Sequence, residues 1–315
     1  VNALPLWVVA DESNYDEAAY LRGNADVARE VAVGRCASGR AHFDTFGRLE
    51  QRGLRLTIPA SWKQEKLAKV RPLLRAEMEC VESMDCLNFL SAELAEEFGI
   101  VATENVSSHG YDHEVLGLIE RHRDGLVLDC GAGLRDTYYR NVVNCEVVAY
   151  DTTDVLAVAE RLPFIDESFD AVLSLNVLEH VKDPFQAARE LMRVLKPGGQ
   201  LMCVAPFLQP LHGYPHHYYN MTRQGIANLF SGLLERRIEV YGAMKPIWAL
   251  NWFLTRYHAG LPPESRERFA TMTVAELMAA PEALELDDIN LRLSAEACTE
   301  LASAHALFGC KPGRG

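Results

Sequence analysis

The chain has no apolar run approaching the ~20 residues that a membrane-spanning helix requires, which excludes a transmembrane reading. It has no excess of positive charge either. A formal net charge of −13 argues against a nucleic-acid partner, because phosphate-backbone binders carry a basic footprint. The cysteines lack pairing motifs: Cys36, Cys80, Cys86, Cys130, Cys145, Cys203, Cys298 and Cys310 are scattered with no C-x-x-C. That excludes a zinc ribbon or a disulfide framework and reads as reduced thiols in a cytoplasmic protein. No basic leader precedes the apolar residues 4–10, which run into Asp11 and Glu12 and do not fit a signal peptide.

At 315 residues the chain is long enough for one large domain with additions, or for two domains. Residues 1–100 read as a helical region or cap, with a long helical pattern over 63–98 that Gly99 stops. Residues 101–315 read as a second unit, in which short apolar runs alternate with amphipathic helices, the pattern of a parallel sheet covered by helices. Strands are expected at 126–130, 142–146, 155–157, 171–175 and 200–205. A helix over 184–195 has Asp183 as cap and Pro184 at its first turn, and the Lys-Pro-Gly-Gly at 196–199 closes it. From residue 242 the chain reads as helical again, with helices at 248–257 and 274–280, and the apolar run 305–310 reads as a final strand.

The first apolar run meets a glycine turn. Gly131 and Gly133 are present, but Asp136 holds the third position of G-x-G-x-x-G, where a carboxylate repels a pyrophosphate. NAD and FAD are therefore disfavoured. An adenosine ligand that carries a cationic sulfonium and an amino group instead of phosphates suits Asp129 and Asp136. Glu146, ending the second run, can accept both ribose hydroxyls. Asp151 competes for that role, but a strand reaching it leaves too little chain before the next run at Val155.

Three ordered motifs then carry a resemblance: Leu162 to Phe164 with Asp166, Ser168 to Asp170 and Val172; Leu178 to Val181; and Arg193 to Gly199. Over residues 106–229 the chain resembles class I S-adenosylmethionine (SAM)-dependent methyltransferases of the branch with L-P-F-x-D-x-S-F-D-x-V, L-E-H-V and R-V-L-K-P-G-G signatures. The resemblance implies a Rossmann-like α/β fold with a mostly parallel seven-stranded sheet whose last strand is antiparallel, closed by a hairpin of strands at 236–241 and 305–310 with residues 243–304 as a helical insertion between them. It implies SAM as cofactor, with Asp129, Gly131 and Gly133 at the turn, Glu146 at the ribose, Ala159 and Glu160 in the adenine loop, and Asn176 facing the methionine half. Tyr111 is expected to cover the amino-acid end. Two positions depart from the family: Val158 stands where many relatives have an Asp for the adenine amino group, and Arg135 replaces a common third glycine.

Residues 206–225 resemble the family's P-F-x-x-x-x-H-x-x-P-x-D-Y-x-R-x-T segment, with His217 at the usual Asp and Asn220 at the usual Arg. Methyl transfer to a hydroxyl needs a base near the acceptor oxygen, and His212, His216 and His180 are the candidates. No metal is expected, because the histidines of this loop lack nearby carboxylates. Residues 19–53 resemble a small helical module that accompanies enzymes of bacterial polysaccharide assembly. Tyr20, Asn24, Asp26, Val27, Gly34, Ser38, Gly39, His42, Phe43, Gly47, Glu50 and Arg52 match it, with Ala25 in place of the usual Pro.

The expected function is O-methylation of a sugar or glycan intermediate with a histidine base. The alternatives are an O-, N- or C-methyltransferase of a small natural product, favoured by Trp248, Trp252 and Phe253, and a SAM-binding module without turnover. The expected partner is a small-molecule or glycan acceptor, with no nucleic acid and no membrane span, and a homodimer is left open.

Overall fold

The computed structural model describes residues 2–101, 110–213, 216–234, 236–242 and 244–306. Its strands are β1 (Ala3–Pro5), β2 (Trp7–Val9), β3 (Gly53–Arg55), β4 (Val81–Glu82), β5 (Leu87–Asn88), β6 (Val127–Cys130), β7 (Thr137–Tyr139), β8 (Val142–Glu146), β9 (Val155–Leu156), β10 (Phe169–Leu175) and β11 (Leu195–Val204). The helices that matter for the site are α1 (Glu17–Gly23), α2 (Ala25–Ala32), α3 (Gly39–His42), α4 (Ala60–Val70), α5 (Ala92–Phe98), α6 (His113–Arg121), α7 (Pro184–Val194) and α8 (Arg223–Leu229).

Seven strands form one sheet in the order β11-β10-β6-β8-β9-β5-β4. All neighbours run parallel except β4 and β5. β6 is buried along its whole length and β8 along all but its last residue, as expected of strands covered on both faces. On one face α6 places Val115, Leu118 and Ile119, one helical stripe, against Val127, Val142, Ala171 and Leu173. On the other, Ala187, Leu191 and Val194 of α7 and Leu67 and Val70 of α4 pack over Leu128, Cys130, Val143 and Cys145. The start of α7 is as expected, with Asp183 accepting from the Gln186 N–H at 2.9 Å and Pro184 in the first turn. The Rossmann-like fold class expected from the resemblance is present.

From β6 the chain moves outward through β8 and β9, then returns to lay β10 and β11 on the other side of β6. The order reverses between β6 and β10. In such sheets ligands bind in the crevice at the carboxyl ends of the strands where the order reverses.

The β6–β8 unit is compressed. Only residues 131–141 join two parallel strands, with no crossover helix, and within them β7 folds outward to pair antiparallel with β1. The Lys66 ammonium of α4 bonds Asp154 Oδ2 at 2.8 Å with both side chains 0 % exposed. Asp154 also accepts from the Tyr138 hydroxyl and from the Asn144 N–H at 2.9 Å, so one carboxylate ties α4, β7 and β8 together.

Three expectations are corrected. Residues 63–98 are not one helix: α4 ends in a short 3-10 turn at Arg71–Leu73, where Pro72 has no N–H to donate, and β4 and β5 follow. The antiparallel strand is the edge strand β4, whereas the last strand expected to be antiparallel is, among the described residues, β11, which runs parallel to β10. Residues 236–241 form no strand, and neither do His305 and Ala306, while 307–310 lie outside the described residues. A lone extended segment has no ladder to stabilise it, and the partner expected for 236–241 is that final segment. The helical character expected over 243–304 is present as α9 (Pro246–Ala259), α10 (Pro263–Thr271), α11 (Val274–Leu277), α12 (Pro281–Glu285), α13 (Asp288–Leu291) and α14 (Ala295–Glu300), around Leu261, Phe269 and Ile289, but no described strand flanks it as an insertion would require.

The residues that match the N-terminal module form a small core of their own. Tyr20 and Phe43 are fully buried, and the Tyr20 hydroxyl lies 3.0 Å from His42 Nδ1. The Asn24 amide donates to the Tyr20 and Gly53 carbonyls at 2.7 and 2.9 Å. These contacts account structurally for the letters at Tyr20, Asn24, His42 and Phe43.

Lys66→Met is expected to leave the Asp154 carboxylate buried without its cation and to cost about 3–5 kcal/mol. Urea unfolding followed by circular dichroism measures this, and an unchanged midpoint would mean that the pair does not hold α4 to the sheet.

Candidate functional site

The turn after β6 has the backbone expected of it. Gly131 has φ +77°, and a Cβ there would stand 2.3 Å from Val177 Cγ2, so the position excludes any side chain. The Gly131 and Ala132 N–H groups donate to the Cys145 carbonyl at 2.9 and 3.1 Å. The Gly133 N–H donates to Glu146 Oε2 at 2.7 Å, and the Val147 N–H to Glu146 Oε1 at 2.7 Å. Glu146 is thus held at the end of β8 against the turn. Burial pushes its carboxyl above the ordinary value, against the pull of those two N–H groups. Asp151 is engaged elsewhere, paired with Arg55 at 2.8 Å.

Asp129 is fully buried at the end of β6 and forms an ion pair that the sequence does not announce. Its Oδ2 accepts from Arg135 Nη2 at 2.6 Å and Nε at 3.0 Å, and from the Tyr111 hydroxyl. The guanidinium also lies over the Tyr111 ring, 4.3 Å from its centre. The arrangement accounts for Arg135 in place of glycine: it neutralises the buried carboxylate, and Tyr111 covers the pair. Oδ1 of Asp129 is buried with no hydrogen-bond partner.

Asn176 follows β10 on the other side of the crevice. It has φ +55°, uncommon for a non-glycine residue, and its Oδ1 is also buried without a partner. Two acceptors without donors therefore flank the point where the strand order reverses. Buried polar atoms are ordinarily paired, so these two suit a donor-bearing ligand such as the ammonium of an amino acid.

Glu160 is buried, but its Oε1 accepts from the Lys182 and Asp183 N–H groups at 3.0 and 3.3 Å, fastening the approach to α7. Ala159 and Val158 are buried in the core beside it. The candidate base His216 has an exposed side chain beside Tyr218, and it is its backbone carbonyl that reaches the other histidines.

His180 and His212 come together, with ring centres 5.0 Å apart, and His217 joins them at 4.4 Å from His212. Their elements are the loop after β10 and the loop after β11. The His180 Nδ1–H donates to the His216 carbonyl at 2.6 Å, and the His212 Nδ1–H to the Pro210 carbonyl at 2.9 Å. Burial pushes the His180 imidazolium down to about 4, and it lowers His212 as well, so both rings are neutral at physiological pH. Sequence reasoning missed Glu179, which was visible only as a letter of the L-E-H-V motif. It is 0 % exposed beneath these rings, and burial pushes its carboxyl up to about 8.

A cavity of about 2100 Å³ lies elsewhere, along the β11 edge, and Trp248 and Trp252 line it. Gly131, Glu146 and Asn176 do not.

Residues 126–203 match the family model of a methyltransferase domain. An uncharacterised methyltransferase of Mycobacterium avium is 46% identical over 82 residues, 24% of this chain and 32% of that protein. A demethylmenaquinone methyltransferase of Renibacterium salmoninarum is 38% identical over 90 residues, 29% of this chain and 35% of that protein. Among solved structures, the YcgJ protein of Bacillus subtilis is 19% identical, with 55% of this chain and 87% of that one covered at a TM-score of 0.34. The chain spans about a third of the length of the two curated relatives, and the segment that matches the domain model carries the glycine turn and the three motifs.

Proposed function

We infer that this protein is a SAM-dependent methyltransferase, and we propose that its acceptor is a hydroxyl of a sugar or glycan intermediate. The observation that carries the reading is the pair of unpartnered buried acceptors, Asp129 Oδ1 and Asn176 Oδ1, on either side of the glycine turn where the strand order reverses. The match of residues 126–203 to a methyltransferase domain supports it. When bound, SAM supplies an electrophilic methyl group on a sulfonium.

The chain's residues divide the remaining work. Asp129 and Asn176 accept from the amino-acid end, and Tyr111 and Arg135 hold the Asp129 carboxylate in place. Gly131 and Gly133 let backbone approach closely, and Glu146, already set by two backbone N–H groups, presents carboxylate lone pairs to a ribose diol. The 159–164 loop contributes through backbone, because Glu160 is committed to α7. His180 and His212 mark where the acceptor is activated: a neutral imidazole can take a hydroxyl proton, and holding the oxygen in line with the methyl–sulfur bond lowers the barrier further. The sugar preference rests on the resemblance of residues 19–53 to a polysaccharide-assembly module. The cavity beside Trp248 and Trp252 favours the second reading, a small apolar natural product as acceptor.

Calorimetry is expected to give micromolar binding of SAM and S-adenosylhomocysteine to the native protein, abolished in Gly131→Arg and Glu146→Ala. A native protein that binds neither would refute methyl transfer and leave the fold to another use. Once an acceptor is found in a screen that begins with sugars, His212→Ala should lower kcat by about 100-fold with SAM affinity unchanged. An equal loss of SAM affinity would place His212 in cofactor binding instead.

A further inference from the structure

The cluster beside the crevice has the composition of a metal site. One carboxylate oxygen of Glu179 and one ring nitrogen each of His180 and His212 lie within 4.8 Å of one another. Glu179 is 0 % exposed, and neither of its oxygens has a hydrogen-bond partner. A buried carboxylate without donors is costly unless a proton or a cation neutralises it.

The histidines are arranged for the second option. Each donates its Nδ1–H to a backbone carbonyl, His180 to that of His216 and His212 to that of Pro210, which sets the tautomer and leaves Nε2 with the lone pair. Metal-bound histidines are oriented by this kind of outer bond. His180 Nε2 stands 3.8 Å from Glu179 Oε1, too far for a hydrogen bond. Two donors on a tetrahedral zinc, with bonds of ~2.0–2.1 Å, stand roughly 3.3 Å apart, so small side-chain rotations close the set. His217 braces the group, its Nδ1 accepting from the His212 N–H at 3.2 Å and its Nε2 lying 3.0 Å from Asn220 Oδ1. Trp252 packs against His212 at 5.1 Å between ring centres.

We propose that Glu179, His180 and His212 bind one divalent transition-metal ion, zinc in preference to magnesium, through one oxygen and two imidazole nitrogens. Two imidazoles favour such an ion over magnesium, which keeps oxygen ligands. Three protein ligands leave a coordination position open for an oxygen. The metal site stands on its own geometry. That the open position takes the acceptor's oxygen rests on the methyltransferase reading, and in that case a Lewis acid takes the place of the imidazole base.

The test is zinc titration of the full chain against a chromophoric chelator with magnesium in excess. One equivalent should bind, and Glu179→Ala and His212→Ala should each weaken it by at least about tenfold. His122→Gln, whose ring lies by Gln200 away from the cluster, should bind as the native protein does. Native affinity in either ligand variant, or no stoichiometric binding, would overturn the site. If Glu179→Ala does not fold, the cobalt spectrum of the unaltered protein decides: d–d bands without a thiolate charge-transfer band support this ligand set, and a thiolate band overturns it. SAM calorimetry on the same samples keeps the two readings apart. Zinc bound without SAM retains the metal site and removes the methyltransferase, and SAM bound without zinc does the reverse.

Discussion

The carboxylate of Asp154 is the point from which the rest of the structure hangs. It lies fully buried just before β9 and receives the Lys66 ammonium, the Tyr138 hydroxyl and the Asn144 N–H. Each donor belongs to a different element, so satisfying one anion fixes α4, β7 and β8 together. A doubly wound sheet ordinarily covers the face beside its first two strands with the helix that joins them. Here that helix is missing, and α4 contributes to the cover instead, held by a charge that has no water to fall back on. The position of the glycine turn depends on this arrangement, because residues 131–141 are too short to support themselves.

Electrostatics around the crevice follow a related logic. The chain is strongly acidic, yet the carboxylates that matter are individually managed: Asp129 by Arg135 and Tyr111, Glu146 by two backbone N–H groups, Glu160 by the approach to α7. Glu179 is the exception, and that contrast gives it weight. The Asp129–Arg135 pair also shows how an arginine fits in the turn, since its side chain folds back over its own loop.

Much of the fold was legible because its strands are buried runs bounded by punctuation. β8 matches the expected run to the residue, and β6, β9 and β10 lie within two residues of theirs, as expected where periodicity and capping agree. The start of α7 could be read from Asp183 and Pro184. What escaped was non-local. β4 and β5 are two-residue strands whose identity comes only from pairing with β9, and no local pattern separates them from the frayed helix that their letters suggest. At the site, the turn and Glu146 could be placed from sequence, because spacing determines them. Glu160 could not, since an acid in a motif does not reveal which N–H groups it will meet. The histidines were visible as a group, but their separation into His180 with His212, and His216 apart, depends on which loop each leaves and in what direction. The carboxylate beneath them was 33 residues from His212 in sequence and had no reason to be linked to it.

The β1–β7 ribbon has a consequence for the order of assembly. Ala3 pairs with Tyr139, so a segment at the start of the described chain finds its partner only after the residues that build α1 to α6. Closing so long a loop loses chain entropy before the contact returns anything, which places this pairing late in folding. Until it forms, β7 is an exposed strand edge beside the glycine turn. The pairing with β1 therefore covers a strand edge that would otherwise stand free beside the glycine turn.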